Sequence, residues 1–262
     1  MRSIAIMNQK GGVGKTTTAV NVAAALAQAG RRVCLIDLDP QAHATLHLGL
    51  DPQPPQPSIY DVLVGKRPLA DARQQVAENL WVVASTLDLA AAEIELSGVI
   101  GRELILRDKL REDHWPLDYL LVDCPPSLGI LTLNALAAVE EVFIPLQPHF
   151  LALHGLSKLL ETIRLVAARL NPTLQISGVV LCMYDAGTRL AAEVSQNADA
   201  FFQSGRGQPL PWAAARTFRT RIRRNIRLAE APSFGQAIFQ YAPDSHGAED
   251  YQRLAEEIIA QR

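Results

Sequence analysis

The amino-acid sequence predicts an α/β protein with a mostly parallel, twisted sheet and helices on both faces of that sheet. Three observations lead to this fold class: short apolar runs recur along the chain, helix-like stretches separate them, and most of the runs are continuous rather than alternating. A continuous apolar run indicates a strand that is covered on both faces, as the strands of parallel sheets are. Regular alternation of such strands with helices favours a parallel sheet.

Six apolar runs are the predicted strands. They span residues 3–8, 32–37, 80–84, 119–123, 142–146 and 176–183. Between them we predict an alanine-rich helix over 16–29, a helix after Pro126 and a helix over 153–170, which Asn171 and Pro172 end. The proline-rich stretch 51–57 is too short to separate domains, so we expect residues 1–262 to form a single domain.

The composition excludes several classes of protein. Hydrophobic residues make up 48% and charged residues 20% of the chain, and the net charge of −2 implies that any nucleic-acid-binding surface must be local. The three cysteines lie singly in apolar runs, which favours buried thiols in a reducing compartment. Neither a membrane-length apolar run nor a secretory signal is visible, so we expect a cytoplasmic protein.

A glycine-rich stretch, NQKGGVGKTTTAV at 8–20, joins the first predicted strand to the first predicted helix. In this context successive backbone N–H groups and the helix N-terminus point at phosphate. Lys15 is then expected to reach the terminal phosphates, and the Thr16 hydroxyl to ligate Mg²⁺. The usual Gly-x-x-x-x-Gly-Lys-Thr spacing fails, because the position five residues before Gly14 is Gln9. A glycine turn without a ligand is the alternative.

On the sequence KGGVGKTT the chain resembles the deviant Walker A ATPases, and specifically the ParA/Soj family, whose members have the P-loop NTPase fold. The resemblance implies that ATP is bound by Lys10, Gly11, Gly12, Val13, Gly14, Lys15, Thr16 and Thr17. It also implies that Lys10 crosses a dimer interface to the phosphates held by the partner subunit. Two anionic nucleotides that face each other repel, and a cation supplied in trans offsets this repulsion. ATP binding and formation of a homodimer are then the same event.

Two further motifs extend this resemblance. The first, LIDLDPQ at 35–41, implies that Asp39 orients the attacking water and that Asp37 helps to organise the magnesium site; helix capping is the alternative for Asp39. The second, LLVDCPPS at 120–127, resembles a Walker B strand whose Asp123 holds Mg²⁺ through water. No glutamate follows this aspartate, so we expect weak intrinsic ATPase activity in which Lys10, Lys15 and Asp39 carry the catalysis.

Shorter matches bring the resemblance to nearly the whole chain. They lie at 155–156, 183–185, 224–228, 230–233 and 247–249. In the family, a proline two positions before Asn225 lies against the adenine through its backbone. Arg223 stands at that position here, and we expect Arg223 and Asn225 to contact the base. The stretch 203–215 looks longer than its family counterpart, and we assign it no role.

The segment 216–227 is basic. It contains no acidic residue and six arginines: Arg216, Arg219, Arg221, Arg223, Arg224 and Arg227. Period-two alternation with Phe218, Thr220 and Ile222 predicts a strand that carries three guanidinium groups on one face. The family binds double-stranded DNA without sequence preference as an ATP dimer. We therefore expect phosphate contacts from Arg189, Arg219, Arg221, Arg224 and Arg227, while protection of an exposed edge strand is the alternative.

The resemblance implies a slow ATP-dependent switch, associated with the nucleoid, that partitions a chromosome or plasmid. A ParB-like adaptor would stimulate its hydrolysis. The same mechanism could position a protein cargo, such as an organelle or a chemoreceptor array. Because the glycine run starts near residue 8, we expect no preceding operator-reading domain and no operator-specific repression.

Three weaker interpretations remain open. A MinD-like, membrane-associated division regulator would need the apolar face of 251–262 to lie on a membrane, but acidic residues in and beside it favour docking on the core, and we expect no membrane partner. A metabolic or cluster-carrying P-loop enzyme is disfavoured by the absence of paired cysteines. His43 and His47 could form one edge of a metal site, but the sequence shows no third ligand nearby.

Overall fold

The computed structural model describes residues 1–53, 56–149 and 154–261. Its strands are β1 (Arg2–Ile6), β2 (Val33–Asp37), β3 (Arg73–Ala77), β4 (Leu80–Val83), β5 (Tyr119–Asp123), β6 (Glu141–Leu146), β7 (Gln175–Tyr184) and β8 (Arg216–Arg223). They form one sheet in the order β3-β4-β2-β5-β1-β6-β7-β8. Every neighbouring pair is parallel except β3 and β4, so the predicted fold class is confirmed.

Eleven α-helices surround the sheet in the part of the chain that the structure describes. They are α1 (Lys15–Gln28), α2 (His43–His47), α3 (Ile59–Leu63), α4 (Leu89–Glu95), α5 (Ile105–Glu112), α6 (Ile130–Ala138), α7 (Ser157–Arg169), α8 (Arg189–Ser204), α9 (Ile226–Glu230), α10 (Ile238–Tyr241) and α11 (His246–Ala260). The helix predicted over 153–170 is α7 for the most part. Residue 153 lies outside the described residues, and 154–156 form a 3₁₀ turn before the helix.

All six strands predicted from apolar runs are present, and the arginine-bearing segment forms β8, as its alternation predicts. The strand that the sequence does not reveal is β3, whose residues RQQVA contain no apolar run. It forms because Gln74 and Gln75 pair antiparallel with Val82 and Trp81 at one end of the sheet. Asn79, at a φ of 59°, makes the tight turn between the two strands, and asparagine is one of the few residues that tolerate this conformation.

Alternate residues of the central strands pack into two hydrophobic layers. On β5, Leu120 and Val122 join a cluster with residues of α3 to α8, whereas Leu121 joins one with α1, α10 and α11. The sheet is therefore covered on both faces, which explains why its central strands are apolar at every position. All three cysteines are buried thiols, as expected.

The C-terminal helix α11 docks on the core. Its residues Tyr251, Leu254 and Ile258 are buried against α1 and β8, as the spacing of its apolar residues predicts. Within the described residues there is no helix with the length and apolar character needed to cross a bilayer.

The register of the central strands gathers the sequence motifs at one end of the sheet. Asp123 on β5 is the Cα partner of Asp37 on β2 and of Ile6 on β1. The glycine loop after β1, the acidic segment after β2 and the tip of β5 consequently meet at the carboxyl ends of the strands. In open α/β sheets this is where ligands bind.

Candidate functional site

The glycine loop carries β1 into α1 through backbone conformations that favour glycine. Gly12 and Gly14 have φ values of 72° and 93°, in the left-handed region. Gly14 is also the N-cap of α1, and its carbonyl accepts from the N–H of Thr18 at 2.9 Å. The loop thus leads into the N-terminus of a 14-residue helix, where the first backbone N–H groups have no partner within the helix. This is the geometry of an anion-binding site.

A cleft of about 670 Å³ lies over this loop. It is lined by the glycine loop, by Asp39, Gln41 and His43 after β2, by Cys182 and Met183 at the end of β7, and by the segment from Ile222 to Ala229. The volume falls in the range of roughly 300–1,000 Å³ typical of small-molecule sites. A second cleft, of about 730 Å³, lies at the amino ends of the strands around Arg2 and Glu141 and contains none of the predicted site residues.

Lys15 lines the first cleft, and Asp123 is buried near it. The Nζ of Lys15 donates to the carbonyl of Lys10 at 3.1 Å, and burial lowers the pKa of this ammonium although Asp123 and Asp39 oppose the change. Asp123 is fully buried, and neither of its carboxylate oxygens has a hydrogen-bond partner among the described residues. Burial, followed by the charge of Asp37, raises the pKa of Asp123 well above its ordinary value, while the Thr16 hydroxyl opposes the rise.

An unpartnered buried carboxylate costs free energy, and a cation brought next to it removes that cost. The arrangement of Asp123 beside Thr16 and Lys15 therefore fits a hard divalent cation that is bound with phosphate oxygens, which is how Mg²⁺ is commonly held. The described residues contain no group of three histidine, cysteine or acidic side chains that could hold a metal alone. A nucleotide would have to supply the remaining ligands.

Asp37 lies next to Asp123 but is fully hydrogen-bonded. Its Oδ2 accepts from the N–H and the hydroxyl of Thr45 at 2.8 and 2.7 Å, and its Oδ1 accepts from the N–H of Asp39 at 3.2 Å. Burial raises the pKa of Asp37 to about 6 despite these bonds. Because its oxygens are engaged, Asp37 is suited to holding the segment after β2 in place beside the cleft.

Asp39 lines the cleft and is held from two sides. Its Oδ1 accepts from the N–H of Gln41 at 3.0 Å, and its carbonyl accepts from the hydroxyl of Ser85 at 2.7 Å. The helix that follows, α2, has Ala42 as its N-cap. The interpretation of Asp39 as a helix-capping residue is therefore wrong, because the carboxylate closes a turn at the cleft instead.

Lys10 stands outside the cleft of its own chain. It is exposed, it does not line the cleft, and its Nζ donates to Nε2 of His149. In the same loop, the side chain of Val13 is buried in the core, so only the backbone of this residue is available to contact a ligand. Lys15 and Lys10 thus have opposite placements: one lies under the phosphate site, and the other projects from its rim.

Arg223 and Asn225 both line the cleft, and each also makes hydrogen bonds within the fold. The guanidinium of Arg223 donates to Asp250 at 2.6 Å and to Glu249 at 2.5 Å. The side chain of Asn225 caps α9, where its Oδ1 accepts from the N–H of Arg227 at 2.8 Å.

The sequence motifs do not identify Met183 as a residue that lines the cleft. Met183 lies at the end of β7 with a φ of 51°, a left-handed conformation that is uncommon for a non-glycine residue. The sequence match at 183–185 was the available signal. It could not indicate that the backbone turns into the cleft at this residue, because that conformation depends on the surrounding packing.

The predicted DNA-contacting arginines lie on β8, α8 and α9, except Arg224, which lies between β8 and α9. Arg189, Arg219, Arg224 and Arg227 are exposed, and Arg227 forms a solvent-exposed ion pair with Glu230 at 2.8 Å. The expectation that the guanidinium groups of 219, 221 and 223 share one face is wrong. Arg221 turns to Ser195 of α8, at 3.2 Å, whereas Arg223 pairs with α11, which packs on the opposite face of the sheet. Shifts in the β7–β8 register and the acidic residues of α11 separate them.

His43 and His47 have different environments. His43 is exposed at the cleft, whereas His47 is buried, and burial lowers its pKa to about 4. The two rings therefore do not form the edge of a surface metal site, and His47 is a neutral histidine of the core.

Known proteins resemble this chain over nearly its whole length. A family model described as an AAA domain matches residues 1–176. The sporulation initiation inhibitor protein Soj of Bacillus subtilis is 46% identical over 258 residues, which cover 98% of each chain. The chromosome partitioning protein ParA of Caulobacter vibrioides is 43% identical over 99% of this chain and 94% of its own. A crystal structure titled cobyrinic acid a,c-diamide synthase, from Mycobacterium smegmatis with bound ADP and magnesium, superposes with a TM-score of 0.82 at 34% identity, covering 99% and 94% of the two chains.

Proposed function

The chain belongs to the ParA/Soj family of chromosome-partitioning ATPases, and we propose that it is an ATP-dependent dimerising switch that binds DNA without sequence preference and partitions a chromosome or plasmid. The observation that carries the proposal is the placement of the two loop lysines. Lys15 is buried under the phosphate site, while Lys10 projects from the rim and lines no part of its own cleft. A lysine so placed would reach a nucleotide held by a second copy by exchanging its contact with His149 for a phosphate oxygen.

ATP and Mg²⁺ are the proposed cofactors. Backbone N–H groups of the glycine loop and of the first turn of α1 would hold the phosphates, with the ammonium of Lys15 beneath them. The Thr16 hydroxyl and, through water, the Asp123 carboxylate would hold Mg²⁺, which neutralises phosphate charge when bound. The unpartnered oxygens of Asp123 support this assignment. The relative crystallised with ADP and magnesium supports it as well.

We assign orientation of the attacking water to Asp39. Its carboxylate lies at the cleft, and the hydrogen bonds from Gln41 and Ser85 hold its backbone and side chain in one place. Cys124 occupies the position after Asp123, where a glutamate would supply a strong base. Among the described residues, Asp39 is the acidic residue that lines the cleft. We therefore expect slow intrinsic hydrolysis that a ParB-like adaptor accelerates.

The proposed DNA contacts are Arg189, Arg219, Arg221, Arg224 and Arg227. Arg219 and Arg224 are exposed and need no rearrangement to reach a phosphate. The exposed ion pair between Arg227 and Glu230 contributes little free energy in water, so a DNA phosphate can replace the carboxylate. Arg221 would have to leave Ser195, so we expect it to contribute least.

The proposed location is the nucleoid, because the ATP dimer would bind chromosomal DNA without sequence preference. The name of the C. vibrioides relative favours a chromosome as the cargo. The same switch would position a plasmid or a protein assembly equally well, since the adaptor and not the ATPase would recognise the cargo.

DNA binding under nucleotide control tests the proposal. Fluorescence anisotropy of a labelled DNA duplex is measured with ATP and Mg²⁺, with ADP, and without nucleotide. We expect binding only with ATP, with log Kd rising against log salt by about 0.9 per phosphate neutralised. Arg224→Ala should lower this slope by about 0.9, the contribution of one phosphate contact. Arg164→Ala, at an exposed position on α7, should leave the slope unchanged.

Binding that ignores nucleotide, or no binding at all, would contradict the proposal. The second outcome would favour a metabolic ATP-dependent enzyme, as the name of the M. smegmatis structure indicates for that protein. In that case ATP turnover would also be indifferent to added DNA, which a phosphate-release assay on the same samples measures.

A further inference from the structure

The second cleft lies where five neighbouring strands begin. Its lining includes the first residues of β1, β5, β6, β7 and β8, which are Arg2, Tyr119, Glu141, Gln175 and Arg216. These strands are adjacent in the sheet, so their first residues meet at one edge. The volume of about 730 Å³ is in the range of small-molecule sites, and the glycine loop lies at the opposite end of the sheet. We call this the amino-end cleft.

Two more arginines reach the amino-end cleft from outside the sheet. Arg31 follows α1, and Arg206 belongs to the stretch 203–215, to which the sequence motifs assign no role. This stretch is fixed to the start of β7, because the N–H of Ile176 donates to the carbonyl of Pro211 at 2.7 Å. The stretch thereby contributes a guanidinium group to the lining of the cleft.

The charged side chains that line the cleft are four arginines and two acids, and both acids already have partners. Arg2 donates to the carboxylate of Glu141 at 2.9 Å and to the carbonyl of Gln261 at 3.1 Å. Asp118 accepts from the backbone N–H of Arg32 at 2.8 Å and from its guanidinium at 3.4 Å. Arg2 and Arg32 therefore balance the two acids.

The other three arginines of the cleft, Arg31, Arg206 and Arg216, form no ion pair with a carboxylate of the described residues. The Nε of Arg31 is buried and has no hydrogen-bond partner in the same part of the chain. The guanidinium of Arg216 lies 3.0 Å from the side-chain amide of Gln261, which is neutral. Glu140 is exposed nearby but does not line the cleft. Three positive charges are thus left without an acid beside them.

This arrangement is complementary to a ligand with several negative charges. Guanidinium groups gathered in one cleft repel one another, and an anion placed among them offsets the repulsion. Each group presents five N–H donors in a planar fork that matches the oxygens of a phosphate. A buried donor without a partner, such as the Nε of Arg31, gains a hydrogen bond when an acceptor arrives. Three such forks around a cleft of this volume suit a molecule with more than one phosphate group.

Duplex DNA is a poorer occupant, although Arg216 and the proposed DNA contact Arg219 lie on the same strand. A duplex presents a convex surface, whereas these arginines line a concave site. Arg219 itself does not line the cleft. We therefore expect DNA to contact the outer arginines of β8 and to leave Arg31 and Arg206 untouched.

We propose that the amino-end cleft binds a small molecule that carries two or more phosphate groups, and that Arg31, Arg206 and Arg216 contact those groups. The site is separate from the glycine loop and does not depend on the proposed switch function. A nucleotide and a free polyphosphate present the same chemistry to these arginines, so the experiment includes both.

The probe is inorganic tripolyphosphate without Mg²⁺, titrated into the full chain and followed by calorimetry. Because the glycine loop would also bind this anion, we expect two sites in wild type and one in Lys15→Ala. Arg206→Gln and Arg31→Gln, each made in the Lys15→Ala background, should raise Kd about tenfold, as loss of a charge-assisted hydrogen bond does. Arg206 is exposed, so its replacement should leave the fold intact.

Arg164→Gln, at an exposed arginine of α7, is the matched control and should leave Kd unchanged. Titration with guanosine diphosphate in the same background distinguishes the two sources of phosphate. Tighter binding than that of tripolyphosphate would assign the site to a nucleotide, and weaker binding would assign it to a free polyphosphate. Wild-type protein with Arg206→Gln alone should keep one of its two sites, which checks the result without the Lys15 change.

Three outcomes would overturn the inference. The first is absence of tripolyphosphate binding in Lys15→Ala together with a single site in wild type. The second is equal weakening by Arg164→Gln, or sulfate binding as tight as that of tripolyphosphate, since either would indicate nonspecific attraction of anions. The third is displacement of tripolyphosphate by duplex DNA with an equal loss of DNA affinity in Arg206→Gln, which would assign these arginines to DNA.

Discussion

Asp37 and Asp123 end neighbouring parallel strands at the same level, as Cα partners in the pairing of β2 with β5. Two buried carboxylates therefore lie side by side beneath the glycine loop. Thr45 and the backbone of Asp39 satisfy the first, whereas the second has no hydrogen-bond partner among the described residues. From this asymmetry we propose separate tasks: Asp37 holds the segment after β2 beside the magnesium site, and Asp123 interacts with the cation.

Asp123→Asn tests that separation. Burial disfavours the ionised form of Asp123 and an amide removes that cost, so we expect the nucleotide-free protein to gain about 1–3 kcal/mol in its free energy of unfolding. The same change should abolish stabilisation by ATP with Mg²⁺. Thermal and denaturant unfolding with and without these ligands measure both effects. Asp244→Asn, at an exposed acid, is the control and should change neither. A destabilised nucleotide-free Asp123→Asn protein would contradict the assignment.

Lys10→Ala tests the role of the exposed lysine. Because Lys10 does not line its own cleft, we expect ATP affinity in the monomer to change by less than about threefold. Dimerisation with ATP should be lost, since the repulsion between two facing nucleotides is then uncompensated. Light scattering gives the mass, and a fluorescent ATP analogue gives the affinity. Lys15→Ala is the contrast, because it should abolish nucleotide binding itself. An ATP dimer of Lys10→Ala would refute the role in trans.

Asp39→Ala should separate binding from hydrolysis. The carboxylate lines the cleft near Lys15, but backbone N–H groups of the glycine loop and Lys15 itself would hold the phosphates, so ATP should still bind. Loss of the water-orienting group should lower turnover by about 10²-fold or more, as loss of a general base does. The ATP dimer should accumulate and appear as a doubled mass. If the variant remains monomeric with ATP, Asp39 has a different role.

His47 should make stability depend on pH. Burial lowers its pKa from 6.5 to about 4, so the folded chain keeps the ring neutral while the unfolded chain binds a proton below about 6.5. Acid therefore favours the unfolded state, and the contribution of His47 to stability is present above pH 6.5 and is lost as the pH falls to about 4. The loss is about 3 kcal/mol for a shift of this size.

The measurement is urea unfolding of wild type and His47→Gln between pH 4 and 7.5. Because other groups titrate in both proteins, the difference between them isolates this ring. The advantage of wild type over the variant should shrink toward acid. A difference between wild type and His47→Gln that stays flat with pH would contradict the lowered pKa of His47.

Local patterns predicted much of the fold. Continuous apolar runs located the six central strands, and the glycine stretch before an alanine-rich helix located the loop that begins α1. These signals depend on residues within a few positions of each other, which is why they could be read directly. The strand β3 was missed because its pairing with β4, and not its own composition, makes it a strand.

The arginine segment shows what local sequence patterns cannot predict. Its alternation predicted β8, but the helices that pack on the two faces of the sheet decided where each guanidinium points. Asp250 draws Arg223 to one side, and Ser195 holds Arg221 on the other. No spacing within the segment contains that information, since both partners lie on distant helices.

The sequence by itself determined the parallel sheet, the phosphate loop, the two loop lysines and the acids at the strand ends, because each follows from a local pattern of residues. Tertiary structure alone decided that Asp123 lacks a partner, that Lys10 stands outside its cleft and that His47 is buried. The physical reason is that burial and charge environment depend on neighbours that strand register and helix packing bring together from remote parts of the chain.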